Sequence, residues 1–410
     1  MERLEAEVCI VGAGPAGLVV AQRLLEAGVS WVLLERAASE SLCLRAKAGM
    51  LEHRTVTALS GPLAAPILQH GASNGVVEFR VDGVGRIFDY AALTGGRGHF
   101  VYPQHLLVRA WADRLFAQGG QVHFATEATA IDAQPDGALV RARGPQGRET
   151  SVTCRAVALT TGAGADLIPE GIANHERSYP FRWLTTIIEA SPLGERTVYA
   201  AHPNGFAAQL RRSPRLTRYY LQISGREELS AWGDERLRAE LALRLGNERA
   251  LEGAVVERDL LDLRVRVREP LQRGPVYLAG DAAHLVTPAG GKGMNLAIAD
   301  ALELSLGLVA RFCHGRSERL EKYTETRLPQ IWRAQEFSHW MLTLHSGSLL
   351  VDPSDVLPAE ASFAHRLHCA QIERLFSDPG FAHWFAHRYA GVDEDAPAHH
   401  PPLPALGDPT

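Results

Sequence analysis

The chain contains no run approaching the ~18 uninterrupted apolar residues of a membrane-crossing helix, so no membrane partner is expected. Cysteine is sparse: Cys9, Cys43, Cys154, Cys313 and Cys369 form an odd, scattered set without a CxxC pair. That spacing argues against a disulfide framework and a zinc site, predicts no metal, and fits a reducing cytoplasmic setting. An excess of positive charge is also missing. With 42 Lys+Arg against 47 Asp+Glu the net charge is -5, which gives no support for nucleic-acid binding. The opening stretch "MERLEAEVCIVGAG" lacks a basic leader and its apolar run is broken by glycines, so it reads as mature structure rather than a signal peptide. The closing "DEDAPAHHPPLPALGDPT" is proline-rich and aperiodic; 396–410 is expected to be a disordered tail with His399 and His400 solvated. No internal repeat is visible.

What remains is an ordinary globular composition, 46% apolar and 22% charged, on a chain long enough for two or three lobes. "EVCIV" (7–11) reads as a buried strand. "GAGPAG" follows, then a helical pattern through "LVVAQRLLEAG" stopping at Gly28, then a second strand, "WVLLE". This strand–turn–helix–strand order opens a parallel sheet. Within it Gly12, Gly14 and Gly17 have the GxGxxG spacing. The first glycine permits the tight turn, the second lets a pyrophosphate approach the backbone, and the third lets helix and strand pack closely. Glu35 ends the second strand, where a carboxylate can accept from a ribose hydroxyl. Together these predict a dinucleotide site; a glycine-rich connection without ligand is the plainer alternative.

"AGDAAHLVTPAGGKGMN" (279–295) repeats the theme of strand, glycine and acid. Asp281 could hydrogen-bond a sugar-like chain, and Gly290, Gly291 and Gly293 would let backbone N–H groups face a polarised ring at a helix start. A solvated loop with a helix cap is the competing reading. Two nucleotide-type motifs far apart in one chain favour one extended ligand, FAD rather than NAD.

Between these motifs, 77–90 reads as a hairpin, 104–118 as a helix, and 121–126 and 138–143 as short strands. From 180 to 225 the pattern is strand-like with turns, an antiparallel sheet inserted in the α/β frame. Residues 227–248 read as helix, "PVYLAGD" as strand, and the remainder as mainly helical. The fold class predicted is therefore α/β with an α+β insert. A Rossmann-like FAD domain (1–75, 101–178, 269–318) would carry a substrate sheet (hairpin 76–100 and 179–268) and a helical region (319–395).

The segments "GAGPAG", "LRAKAGMLEHRTV", "VYPQHLLVRAW", "YPFRWL", "VYAAHPNGF", "RLTRYYLQI", "GDAAHLVTPAGGKGMNLA" and "RYAGV" occur in order to about residue 393. Together with Glu35 they resemble the single-component flavoprotein aromatic hydroxylases, nearest to the 4-hydroxybenzoate 3-monooxygenase type. The resemblance implies FAD as bound cofactor, NADPH or NADH and O2 as co-substrates, and a flavin hydroperoxide that hydroxylates a small aromatic acid beside its activating group. It also implies a homodimer. It assigns Glu35 to the adenosine ribose, with Ala16 and Arg36 beside the nucleotide. Arg45, Ala46, Lys47, Ala48, Gly49, Met50 and Gln104 would line the FAD. Asp281 would bind the ribityl chain, and Gly293, Met294 and Asn295 would approach the isoalloxazine. Lys292 would raise the positive potential there. A nicotinamide groove would run past Arg36, Arg45, Lys47 and Arg264. Tyr199 corresponds to the residue that hydrogen-bonds the substrate phenol, Tyr389 to its partner in a proton chain, and Pro288 to a proline whose carbonyl faces the same region. Arg212 corresponds to the arginine that grips the carboxylate, assisted by Tyr220. Strand alternation in "AAQLRRS" puts Leu210 and Arg212 on one face and sends Arg211 to the surface side.

Three departures qualify this. Leu210 stands where a carboxylate-contacting serine is usual, which points away from plain 4-hydroxybenzoate and towards a bulkier or altered ring. In "LTTGAGADL", Thr161 replaces an aspartate and Gly164 a histidine, which puts nicotinamide affinity and the NADPH-or-NADH choice in question. Lys47 replaces an arginine, and Ser73 replaces a histidine of the proton network, where water could substitute. Two alternatives therefore accompany hydroxylation: decarboxylating hydroxylation of a substituted 4-hydroxybenzoate, and a flavin-binding protein with little turnover.

Overall fold

A computed structural model describes residues 2–43, 49–164, 167–192, 196–246, 251–346 and 351–392. Arg45, Ala46, Lys47, Ala48 and the expected tail lie outside the described residues.

The first strand, Glu2–Val11, lies between Trp31–Leu34 and Glu149–Leu159, parallel to both. Val8, Cys9 and Ile10 are fully buried, as expected for a parallel strand covered on both faces. The helix Pro15–Glu26 covers one side. Val276–Leu278 adds a further parallel strand beside Glu149–Leu159. The antiparallel hairpin Glu127–Gln134/Gly137–Arg143 hangs from the first half of Glu149–Leu159, on the same edge as Val276–Leu278. The dinucleotide frame is thus the α/β sheet expected. Its central strand Glu149–Leu159 had no distinct sequence signature, because half of it alternates with polar residues.

A second sheet of eight strands runs in the order His284–Leu285, Val255–Glu269, Ala173–Ile188, Thr217–Ser224, Ala207–Arg211, Thr197–Ala201, Val76–Val81, Val84–Asp89. Pairing is antiparallel except between Thr197–Ala201 and Val76–Val81. Its side chains divide by parity. Val198, Ala200, Ala207, Tyr219 and Leu221 pack on the helix Asp234–Leu245 side. Tyr199, Ala201, Ala208 and Tyr220 face the opposite way, into a core shared with Phe337, Phe385 and Tyr389 of the C-terminal helices. The 15-residue strand Val255–Glu269 was not anticipated; its charges at every second or third position mask its period.

A small third sheet links the two: His99–Val101 is the middle strand between Met50–Glu52 and Ala72–Asn74. The helices His53–Leu59 and Gly61–His70 follow the first of these and also had no prior assignment.

Candidate active site

At the carboxyl end of the first strand, Gly12 has φ +109° and an added Cβ would lie 2.5 Å from the Thr160 carbonyl oxygen. A Cβ on Gly17 would lie 1.9 Å from the Gly12 oxygen, so helix and strand meet only because neither residue has a side chain. Gly14 differs: nothing lies within 4 Å of where its Cβ would be. It immediately precedes the helix Pro15–Glu26, leaving room for an anion at the N-terminus. The turn is fixed from outside by Glu35, which accepts from Ala13 N (2.7 Å) and Ala37 N (2.8 Å). A cleft beside it is lined by Gly12, Glu35, Arg36, Glu127, Thr161 and Gly164. Thr161 brings to it a buried hydroxyl without a hydrogen-bond partner. Free carboxylate lone pairs, an unspent hydroxyl and an open glycine are what an adenosine diphosphate requires. These residues fit FAD.

Gly280–Ala282 ends the strand Val276–Leu278. Its turn is held by Gly280 N donating to Asp300 (3.0 Å), whose carboxylate also meets His284 Nε2 (2.6 Å) and Arg327 Nε (2.8 Å). Asp281 is half-buried, and its carbonyl accepts from Arg266, which also binds the Ala163 carbonyl and so ties the two loops together. Arg266 was overlooked. The expected groove residue Arg264 is exposed, two residues before the buried Arg266 on the same strand.

In the glycine loop, Pro288 O accepts from Gly291 N (3.0 Å), and Gly290 and Gly291 have positive φ. The helix Gly293–His314 starts there. Asn295 is spent on structure: it accepts from Glu52 N and donates to the carbonyls of Met50 and Gly291. Gly49 is packed so closely that a Cβ would lie 1.6 Å from Tyr102 O, bringing Met50 and Gln104 to the same wall. Lys292 is buried and donates to Glu52 (2.6 Å) and to the carbonyls of Arg388 (2.7 Å) and Tyr389 (2.9 Å). Burial pushes Glu52 up, but Arg54 and then Lys292 outweigh it and hold the carboxyl at about 2. Glu52 thus pairs with both Lys292 and Arg54, and Arg54 is a residue that sequence reasoning missed.

On the sheet face opposite, Tyr199 pairs with Ala208, and Ala208 with Tyr220. The Tyr199 hydroxyl lies 3.2 Å from that of Tyr389, on the helix Pro379–Ala390. Burial pushes Tyr199 up to about 12 and Tyr389 well above its ordinary value, so both stay neutral phenols. Leu210 faces the same core. Arg212 follows in the same parity; burial and the neighbouring Arg218 lower it to about 10, while Tyr220 and Glu257 act the other way. Arg211 is half-buried rather than on the surface. His105, beside Gln104, is lowered by burial and by Arg212, which puts its ring at the same end.

A model of FAD-binding domains matches residues 5–338. The chain belongs to this FAD-binding family of flavoprotein aromatic hydroxylases. It is 28% identical over 413 residues to p-hydroxybenzoate hydroxylase of Acinetobacter baylyi, covering 96% of each chain. A 3-(3-hydroxy-phenyl)propionate/3-hydroxycinnamic acid hydroxylase of Klebsiella pneumoniae is 26% identical, over 78% of this chain and 59% of the relative. Among solved structures, p-nitrophenol 4-monooxygenase from Pseudomonas putida shares the fold with a TM-score of 0.77 at 20% identity, covering 97% of this chain and all of the other. Anhydrotetracycline hydroxylase from Streptomyces rimosus gives 0.76 at 24% identity, over 97% and 78%. FAD is therefore the cofactor of this chain. Among the described residues no helix is long and apolar enough to cross a membrane, and no cluster could hold a metal ion.

Proposed function

We propose that the protein is a monooxygenase that hydroxylates a para-hydroxylated, or para-amino, aromatic acid ortho to that group, consuming O2 and NADPH or NADH. The carrying observation is the Tyr199–Tyr389 hydroxyl pair on one apolar wall that ends at Arg212 and Tyr220. Arg212 lies four residues beyond Ala208, the cross-strand partner of Tyr199, or about 13 Å along the strand direction. Two long side chains reaching inward from those ends leave room for one ring with polar groups at opposite ends.

FAD, held by the Gly12–Gly17 turn, Glu35 and the glycine loop, would supply hydride acceptance from the nicotinamide and activation of O2 for transfer to the ring. The chain's own residues prepare that ring. Arg212 holds the carboxylate through charge-assisted hydrogen bonds, with the Tyr220 hydroxyl beside it. Tyr199 accepts the phenol proton as it passes its own to Tyr389, and Tyr389 in turn gives up one proton to solvent water, leaving a phenolate, which is the better nucleophile towards oxygen. The raised pKa values keep both tyrosines protonated, so a proton can move through them without either storing charge. Leu210 offers no donor where a second carboxylate contact would help, which favours a bulkier ring.

Anaerobic mixing of the FAD-loaded protein with NADPH or NADH, with and without 4-hydroxy- and 4-aminobenzoates, tests this. The flavin absorbance is expected to bleach faster with an accepted acid; no bleaching with any combination sinks the proposal. Tyr199→Phe should retain FAD and lose hydroxylation by about 100-fold, measured as product per NAD(P)H consumed.

A further inference from the structure

Thr197 is a polar side chain on the substrate face of the second sheet. In the strand Thr197–Ala201, Tyr199 and Ala201 belong to the core shared with the C-terminal helices, and Val198 and Ala200 to the core on the other side. Alternation therefore turns Thr197 to the side of Tyr199, about 7 Å from it along the strand. Val198 pairs with Gln209 and Tyr199 with Ala208, so the same antiparallel register sets Thr197 directly across from Leu210. On its other side Thr197 pairs with Val77, which is fully buried.

A hydroxyl is costly in such a place. Thr197 is 6% exposed, and the side chains of Leu210 and Val77 offer it nothing but hydrocarbon. Among the described residues its hydroxyl has no hydrogen-bond partner. Valine has the same branched shape, fits a strand as well, and would leave no polar group unmet. The position of the hydroxyl supplies its use. The row formed by Thr197 and Leu210 lies midway between the row of Tyr199 and Ala208 and the position of Arg212, two residues further along. An acid lying between Tyr199 and Arg212 has its phenol oxygen at one end and its carboxylate at the other. Thr197 meets neither of these; it meets the edge of the ring.

We infer that Thr197 is a specificity-determining residue whose hydroxyl donates to an oxygen substituent on the edge of the substrate ring. The substrate class is then a 4-hydroxy aromatic acid bearing a methoxy-type group, rather than the plain acid. The inference rests on the phenol-hydroxylating function proposed above. Leu210, across from Thr197, fits the same ring: it lines the site with hydrocarbon for the carbon of the substituent, as Thr197 meets the oxygen. One polar and one apolar contact, on facing strands, select a group that has both characters. A ring substituted on one side of its hydroxyl keeps a free carbon on the other side, so hydroxylation beside the phenol remains open to it.

Two acids of matched size separate the hydrogen bond from bulk: 4-hydroxy-3-methoxybenzoate and 3-ethyl-4-hydroxybenzoate. Their Kd values for the FAD-loaded protein are read from the change in flavin absorbance on titration, with no nicotinamide present and hence no turnover. The unsubstituted protein is expected to bind the methoxy acid about fivefold more tightly, the worth of one neutral hydrogen bond. Thr197→Val keeps the shape and should bring the two affinities within about twofold, whereas Thr197→Ser keeps the hydroxyl and should restore most of the difference. No preference for the methoxy acid in the unsubstituted protein, or a preference that survives Thr197→Val, overturns the inference and leaves the hydroxylase function standing. If neither acid nor plain 4-hydroxybenzoate perturbs the flavin or speeds its reduction by NADPH or NADH, the function beneath it falls too, a result distinct from a mere lack of preference.

Discussion

At the scale of single residues, Leu210 is where the proposed substrate preference is tested. It sits two positions from Ala208, facing the same core, and its side chain has no hydrogen-bonding group to offer the carboxylate of the proposed substrate. Leu210→Ser should improve kcat/KM for plain 4-hydroxybenzoate relative to ring-substituted analogues, by about 5- to 10-fold for one added hydrogen bond. Unchanged preference across the panel contradicts this view of the carboxylate end. His99 makes a second residue-level prediction, on stability. Its folded pKa of about 3 lies below the ordinary histidine value, so the unfolded chain binds the proton more readily. Its contribution is fully present above pH 6.5 and is lost as pH falls towards 3, by up to about 1.4 kcal/mol per pH unit. Urea midpoints measured between pH 7 and 4 should therefore fall less steeply for His99→Leu than for the unsubstituted protein.

At the scale of elements, the loop 286–292 connects the flavin side to the tyrosines through one ammonium group. Lys292→Met leaves the buried Glu52 with Arg54 alone and strands two carbonyls of the last helix. A loss of about 3–5 kcal/mol is expected in urea denaturation, and adding Glu52→Gln should restore part of it. The glycine turn is less forgiving. Gly17→Ala places a methyl 1.9 Å from a backbone oxygen, so FAD content after purification should collapse. Elements of this kind were the legible ones. The first strand, its turn and its helix follow from unbroken apolar runs and glycine spacing, and the strand-like pattern with turns from 180 to 225 announced the second sheet. Glu149–Leu159 and Val255–Glu269 were hidden because partly exposed strands carry charges that blur a period of two. Of the cluster Glu52, Tyr90, His99 and Tyr389, only Tyr389 was legible, through the family resemblance. Strand register brings its members together from four distant segments, and no single segment shows why its polar residue is buried.

At the scale of the whole molecule, three apolar cores divide the work. One supports the dinucleotide sheet, one lies under the helix Asp234–Leu245, and the third fills the space between the substrate sheet and the C-terminal helices. The third core is the unusual one, since its aromatic wall contains Tyr90, Tyr199 and Tyr389 and borders the glycine loop through Ala289 and Met50. That placement keeps the Tyr199–Tyr389 pair away from water, while Arg211 and Arg212 are half-buried. The central claim is that one atom of O2 enters the ring of a para-hydroxy aromatic acid whose carboxylate stays in place. Mass spectrometry of the product formed from 4-hydroxybenzoate or a ring-substituted analogue under ¹⁸O2, with NADPH or NADH, measures it directly. The account predicts a dihydroxy acid carrying one ¹⁸O atom and all of its carbon. A product that has lost carbon dioxide, or consumption of the nicotinamide with no labelled product from any para-hydroxy or para-amino acid, would contradict it.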